Sequence, residues 1–116
     1  MSKYHSKKTE VDGILFDSKR EAQRYQQLKL MVKAGIICDL KMQVKYELVP
    51  AQYIDGKCVE RAVTYTSDFE YYLLQKQNYG DVGQHIVEDV KGMRTDVYKI
   101  KKKLMLYKYG IRITEM

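Results

Sequence analysis

One proline, no tryptophan and two histidines occur in 116 residues. With Pro50 as the only proline, a proline-rich linker is excluded. Two cysteines, Cys38 and Cys58, stand far apart and neither forms a C-x-x-C pair. His5 and His85 are isolated in sequence, so no zinc-ligand spacing is present. In a reducing compartment both cysteines read as small hydrophobes rather than a disulfide. No apolar run approaches the roughly 20 residues that cross a bilayer. The opening MSKYHSKKTE lacks the apolar stretch of a secretory signal. No membrane association and a cytoplasmic address are expected. Internal repeats and low-complexity blocks are also missing.

What the chain does have is positive charge. Lys and Arg number 21 against 15 Asp and Glu, giving a net charge of +6 and a pI near 9.2. A basic domain attracts polyanions, and nucleic acid is the commonest of these in a cytoplasm. Hydrophobic content of 45% and charged content of 31% suit a globular protein. The length suits one domain.

Residues 1–10 are polar and basic and read as a flexible arm, which leaves 11–116 as the domain. Asp12-Gly13 and Asp55-Gly56 are turn signals. Asp17 or Ser18 can cap a helix that runs through REAQRYQQLKLMVKAG to Gly35. IICDLKMQVKYELV reads as one strand ending at Pro50. CVERAVTYTSDFEYYLL reads as a long strand with room for a bend. QKQNYGDVGQ is a polar loop and HIVEDVK a strand stopped by Gly92. A second helix, TDVYKIKKKLMLYKYG, is capped by Thr95 or Asp96 and ended by Gly110, and IRITEM closes the chain as a short strand. Helix, strands, helix, strand make an α/β domain with a mixed central sheet flanked by helices.

Acids sit where a buried sheet would not be expected to hold them. Strand side chains alternate faces, so Val87, Asp89 and Lys91 share one face and Ile86, Glu88 and Val90 the other. An acid and a lysine two residues apart can hold a cation and a phosphate together, or form a simple ion pair. On the first helix Glu21, Tyr25, Leu28 and Val32 fall on one face at helical spacing. Glu21 is the only acid there; it is either drawn into a site or left in water at the helix start. Asp68 lies in mid-strand, a poor place for an aspartate. It shares a face with Glu70, and a solvated sheet face would suit both.

The second helix carries Lys99, Lys101, Lys102, Lys103 and Lys108. Val97, Ile100, Leu104 and Tyr107 supply an apolar stripe, and the lysines off that stripe form a cationic face suited to phosphates. Lys99, Lys102 and Lys103, with Lys7 and Lys8 of the arm, are the candidate DNA contacts. Most of the 11 tyrosines read as packing.

Glu21 on a first helix, Asp68 on a strand and Asp89-Val90-Lys91 on the next strand resemble the restriction-endonuclease-like nucleases. That superfamily carries the PD-(D/E)XK signature on an αβββαβ core. KKTEVDGILFDSKREAQRYQQLKLMVKAGIICDLKMQVKYELVP, then YTSDFEYY, then VEDVKG, are similar to a family of small phage and prophage proteins related to phage junction-resolving endonucleases. The similarity runs from about Lys7 to Ile113.

The resemblance implies Asp68, Asp89, the carbonyl of Val90 and Glu21 as ligands of Mg²⁺, with Mn²⁺ able to substitute. It implies Lys91 as the catalytic lysine. It also implies a homodimer that cuts branched DNA, in the manner of a Holliday junction resolvase, during phage recombination or replication in a bacterial host. The superfamily's first acid often follows a proline; here Ser67 precedes Asp68. Glu88 fits the pattern less well than Asp89, because its i+2 partner is Val90. The alternative is a non-catalytic DNA-binding or regulatory protein that keeps the fold.

Overall fold

The computed structural model describes residues 8–74, 82–90 and 94–116. Along the chain come β1 (Thr9–Val11), β2 (Ile14–Phe16), α1 (Lys19–Lys33), β3 (Ile37–Met42), β4 (Lys45–Val49), β5 (Gln52–Ile54), β6 (Lys57–Glu60), β7 (Val63–Thr66), β8 (Phe69–Leu74), β9 (Val82–Asp89), α2 (Asp96–Tyr109) and β10 (Thr114–Glu115). One four-stranded sheet has the order β10-β9-β8-β3. Its strands and the helices follow the chain order α1, β3, β8, β9, α2, β10, which is the expected αβββαβ core. The fold is a mixed α/β one. β10 runs parallel to β9, with Thr114 opposite Glu88 and Glu115 opposite Asp89. Parallel neighbours need a crossover, and α2 supplies it. No helix among the described residues is long and apolar enough to cross a membrane.

Two compact units divide the chain: Met1–Leu40 with Tyr71–His85, and Lys41–Glu70 with Ile86–Met116. In the first, β1 and β2 form a hairpin whose turn residues Asp12 and Gly13 have φ of 53° and 75°. Two successive positive φ angles match the strand twist in a two-residue hairpin, which is why Asp-Gly marks such turns. The Ser18 hydroxyl caps α1 by accepting from the Glu21 amide at 3.1 Å. Ala22, Tyr25 and Leu28 form the buried face of the helix, and the Tyr25 ring lies 5.0 Å from that of Phe16. At its other end the Ile36 amide donates to Met31 and the Gly35 amide to Val32, closing the last turn.

In the second unit β4 pairs antiparallel with β7, and α2 packs on both. Leu48, Tyr65, Val87, Tyr98, Met105 and Ile113 make its core, with Tyr46, Leu104 and Ile111 packed against it. Tyr109 at the end of α2 donates to the Glu47 carbonyl at 2.6 Å, and its ring meets Tyr46 edge-on at 5.3 Å. β5 and β6 pair in a hairpin whose strands are exposed throughout.

Several expectations change. The strand expected over 36–49 is two strands, because Gln43 adopts φ 55° and turns the chain between β3 and β4. The long strand expected over 58–74 is three, β6, β7 and β8. β9 begins at Val82, inside the stretch expected to be loop, and residues 75–81 lie outside the described residues. Residues 1–7 of the expected arm also lie outside them, and Thr9 and Glu10 belong to β1. The largest correction concerns α2. Val97, Ile100 and Tyr107 are 61%, 58% and 89% exposed, while Tyr98 and Met105 are buried. Tyr98 carries as much apolar surface as Val97, so periodicity permits either face; packing on β4 and β7 selects the one with Tyr98.

Candidate functional site

The site is built where β7 gives way to β8. The Ser67 amide donates to the Val44 carbonyl at 2.9 Å, and the Gln43 amide to the Asp68 carbonyl at 3.3 Å. On the other side the Asp68 amide donates to the Glu88 carbonyl of β9 at 3.1 Å. The backbone of Asp68 is thus fixed between the β3–β4 connection and β9. Its side chain reaches the end of β9, where Oδ2 accepts from the Val90 amide at 2.6 Å. This charge-assisted bond joins the first predicted acid to the Asp89-Val90 dipeptide.

Four carboxylates of this unit are buried: Asp68, Glu70, Glu88 and Asp89, at 9%, 5%, 0% and 1% exposure. A solvated sheet face for Asp68 and Glu70 is therefore overturned. Burial of charge is tolerated where strong hydrogen bonds replace water. Tyr65 donates to Asp89 Oδ2 at 2.7 Å. Asp89 Oδ1 is buried and takes no hydrogen bond from the described residues. Tyr46 donates to Glu70 Oε1 at 2.6 Å, and Ser67 to Glu70 Oε2 at 2.9 Å. Strict alternation would put Ser67 and Glu70 on opposite faces; the break at Ser67–Asp68 lets them meet. Burial, then the bond to Asp89, pushes the Tyr65 hydroxyl well above the usual phenol range, so it remains a donor at neutral pH.

Beside Asp89 on the neighbouring strand, Glu115 gathers three donors. Tyr98 donates to Oε2 at 2.9 Å, Lys102 to Oε1 at 2.9 Å, and Arg94 Nε stands 3.1 Å from Oε2. Lys102, with its positive charge and hydrogen bond, is the largest influence holding the Glu115 carboxyl below its ordinary value. Burial, then the bond to Glu115, raises Tyr98. The Met116 amide donates to the Asp89 carbonyl at 3.0 Å, which fixes the last strand against the acid-bearing one.

Of the predicted site residues, the structure brings together Asp68, Asp89 and Val90. Glu88 adjoins them through its backbone. Glu21 stands half-buried in the first turn of α1, in the other unit, and its part in the set is carried by the resemblance alone. Lys91 and Lys7 lie outside the described residues. Lys8 is exposed. Lys99, Lys102 and Lys103 line one groove on α2.

Among the described residues, no three histidine, cysteine, aspartate or glutamate side chains form a group that could hold a metal ion. Mg²⁺ is a hard cation that retains water and needs only one or two carboxylates plus substrate oxygen. The two acids at this end of β9 are Asp68, through its bond to the Val90 amide, and Asp89.

Residues 1–114 match the family described as protein of unknown function (DUF1064). The chain belongs to that family. No curated protein and no solved structure matches it.

Sequence reasoning missed Tyr46, Tyr65 and Tyr98 as hydrogen-bond donors to buried or half-buried carboxylates, having read the tyrosines as packing. The signal was available: a tyrosine placed in the core of an acid-rich domain has both a ring to bury and a hydroxyl to satisfy. It also missed Arg94 and Arg112, which join the lysines on α2.

Proposed function

We propose that the chain is a metal-dependent endodeoxyribonuclease that hydrolyses phosphodiester bonds in branched or structured DNA. The observation that carries this reading is the bond from the Val90 amide to Asp68 at 2.6 Å. It sets two acids, 21 positions apart in sequence, at one end of β9, in the order and spacing of the resemblance. The basic groove on α2, whose Glu115 lies opposite Asp89, supports a polyanionic substrate.

Asp68, Asp89 and the Val90 carbonyl would hold Mg²⁺, or Mn²⁺ in its place. The bound ion supplies charge neutralisation at the phosphate and a more acidic water. Tyr65 keeps the Asp89 carboxylate oriented, and the Val90 amide does the same for Asp68. Lys91 offers its ammonium to the phosphate as charge builds on it, a contribution of about 10²–10³ in rate. In the balanced reaction, water oxygen bonds to phosphorus, one ester bond breaks, and the departing oxygen takes a proton. Coordinated cutting of two strands calls for a homodimer, in a bacterial host that carries the phage.

The test is cleavage of plasmid, four-way junction and single-stranded DNA with and without Mg²⁺. The wild-type protein cleaves in Mg²⁺ only, and Asp89→Asn and Lys91→Ala abolish cleavage while keeping DNA binding. Equal cleavage by all three proteins sinks the assignment. Binding by all three with no cleavage with or without Mg²⁺ favours the non-catalytic DNA-binding protein.

A further inference from the structure

Lys99, Lys102, Lys103 and Leu106 recur on α2 at i, i+3, i+4 and i+7, which is one helical face. This face does not join the core; it forms one wall of a groove of about 380 Å³. Arg94, before the helix, and Arg112 and Glu115, after it, supply the other wall, and the Tyr98 side chain contributes to the lining. Five cations thus face one carboxylate. Glu115 is occupied with Tyr98, Lys102 and Arg94 at 2.9–3.1 Å, so it pins the walls together rather than repelling an anion. Between the cations the surface is apolar: Leu106 is 53% exposed there.

We infer that this groove takes an unpaired nucleotide, its base against Leu106 and its phosphates on Lys99, Lys103 and Arg112. Three physical points select that occupant. Duplex backbone needs cations but no apolar floor between them. Single strands are held by a cationic track combined with apolar or aromatic surface for the bases. The volume falls in the lower part of the range of about 300–1,000 Å³ typical of small-ligand pockets, room for one nucleotide rather than a duplex.

The groove also borders the acid site. Glu115 is in register with Asp89, and the Tyr98 ring lies 6.5 Å from that of Tyr65, the donor to Asp89. A strand seated in the groove therefore passes next to Asp68 and Asp89. This last step rests on the nuclease reading and narrows its substrate to DNA with an unpaired strand beside the cut; the nucleotide binding itself does not rest on it.

The experiment measures fluorescence anisotropy of labelled oligonucleotides with the full chain in EDTA. The probes are single-stranded thymidine DNA, an abasic strand of equal length and charge, and a blunt duplex. The thymidine strand is expected to bind about tenfold more tightly than the abasic strand. Leu106→Ser removes that difference and leaves abasic binding unchanged. Lys103→Glu weakens all three probes. Both substituted side chains are exposed, and a thermal melt checks that each variant folds. Equal affinity for thymidine and abasic strands, or preference for the duplex, overturns the inference. Base-dependent binding without cleavage in Mg²⁺ retains the groove and sinks only the nuclease.

Discussion

Tyr65 on β7 donates its hydroxyl to Asp89 on β9 across 2.7 Å, with both residues almost wholly buried. Tyr65→Phe keeps the ring in the core and removes the donor. Loss of one partner in a buried charged hydrogen bond costs about 1–3 kcal/mol. Urea unfolding should show that loss. It should vanish in the Asp89→Ala background, where the acceptor is gone; equal losses in both backgrounds would show that the phenol acts through something else.

Ser67 has two separate roles. Its hydroxyl donates to Glu70 and its amide to the Val44 carbonyl at 2.9 Å. Ser67→Ala removes the first and should cost about 1 kcal/mol. Ser67→Pro removes the amide donor as well and should cost about 3 kcal/mol. Thermal denaturation of the two variants ranks them; a proline variant as stable as wild type would show the amide bond to be dispensable.

The corrected face of α2 yields a contrast. Met105 is fully buried and Tyr107 is 89% exposed. Met105→Ala should cost about 2–5 kcal/mol. Tyr107→Ala should stay within about 0.5 kcal/mol. The apolar stripe expected from periodicity demands the reverse for Tyr107, so chemical denaturation of this pair decides between the two faces.

Acid stability should report Glu115. Its folded-state carboxyl is held below the ordinary glutamate value of 4.5, chiefly by Lys102. A depressed folded value means that the unfolded chain binds the proton more readily. The stabilisation is therefore fully present above pH 4.5 and fades as pH falls through the lower folded value. Glu115→Gln should lower stability at neutral pH and flatten the acid limb of a melting profile. An unchanged limb would assign acid unfolding to other carboxylates.

Metal binding should raise stability by mass action. If Asp68 and Asp89 hold a divalent cation, Mn²⁺ at a hundredfold above its dissociation constant adds about 2.7 kcal/mol. The melting temperature of the wild-type protein should rise accordingly, and Asp89→Asn should not respond. A rise of equal size in that variant would place the ion elsewhere.

Local chemistry made much of this chain readable. Asp12-Gly13 and Asp55-Gly56 turn where expected, since few other pairs accept two positive φ angles cheaply. Ser18 and Thr95 cap their helices because their hydroxyls reach the amides of Glu21 and Tyr98. Asp68 and Asp89 were singled out by the resemblance, and Asp68 bonds to the amide of Val90, the residue after Asp89. Strand ends were less readable. Gln43 turns the chain with no glycine or proline to announce it, because its own partner, Asp68, and that of Val44, Ser67, lie far away in sequence.

The sequence by itself determined the helix limits, the two Asp-Gly turns and the order helix, strands, helix, strand, because each depends on residues only a few positions apart. Tertiary structure alone decided which face of α2 is buried. Val97 and Tyr98 are equally apolar to their own helix, and only β4 and β7 distinguish them. It decided likewise that Asp68 and Glu70 lie out of water. Their hydrogen-bond donors, the Val90 amide, Tyr46 and Ser67, include two that lie more than twenty positions away, and a buried carboxylate can be recognised only once those donors are in place.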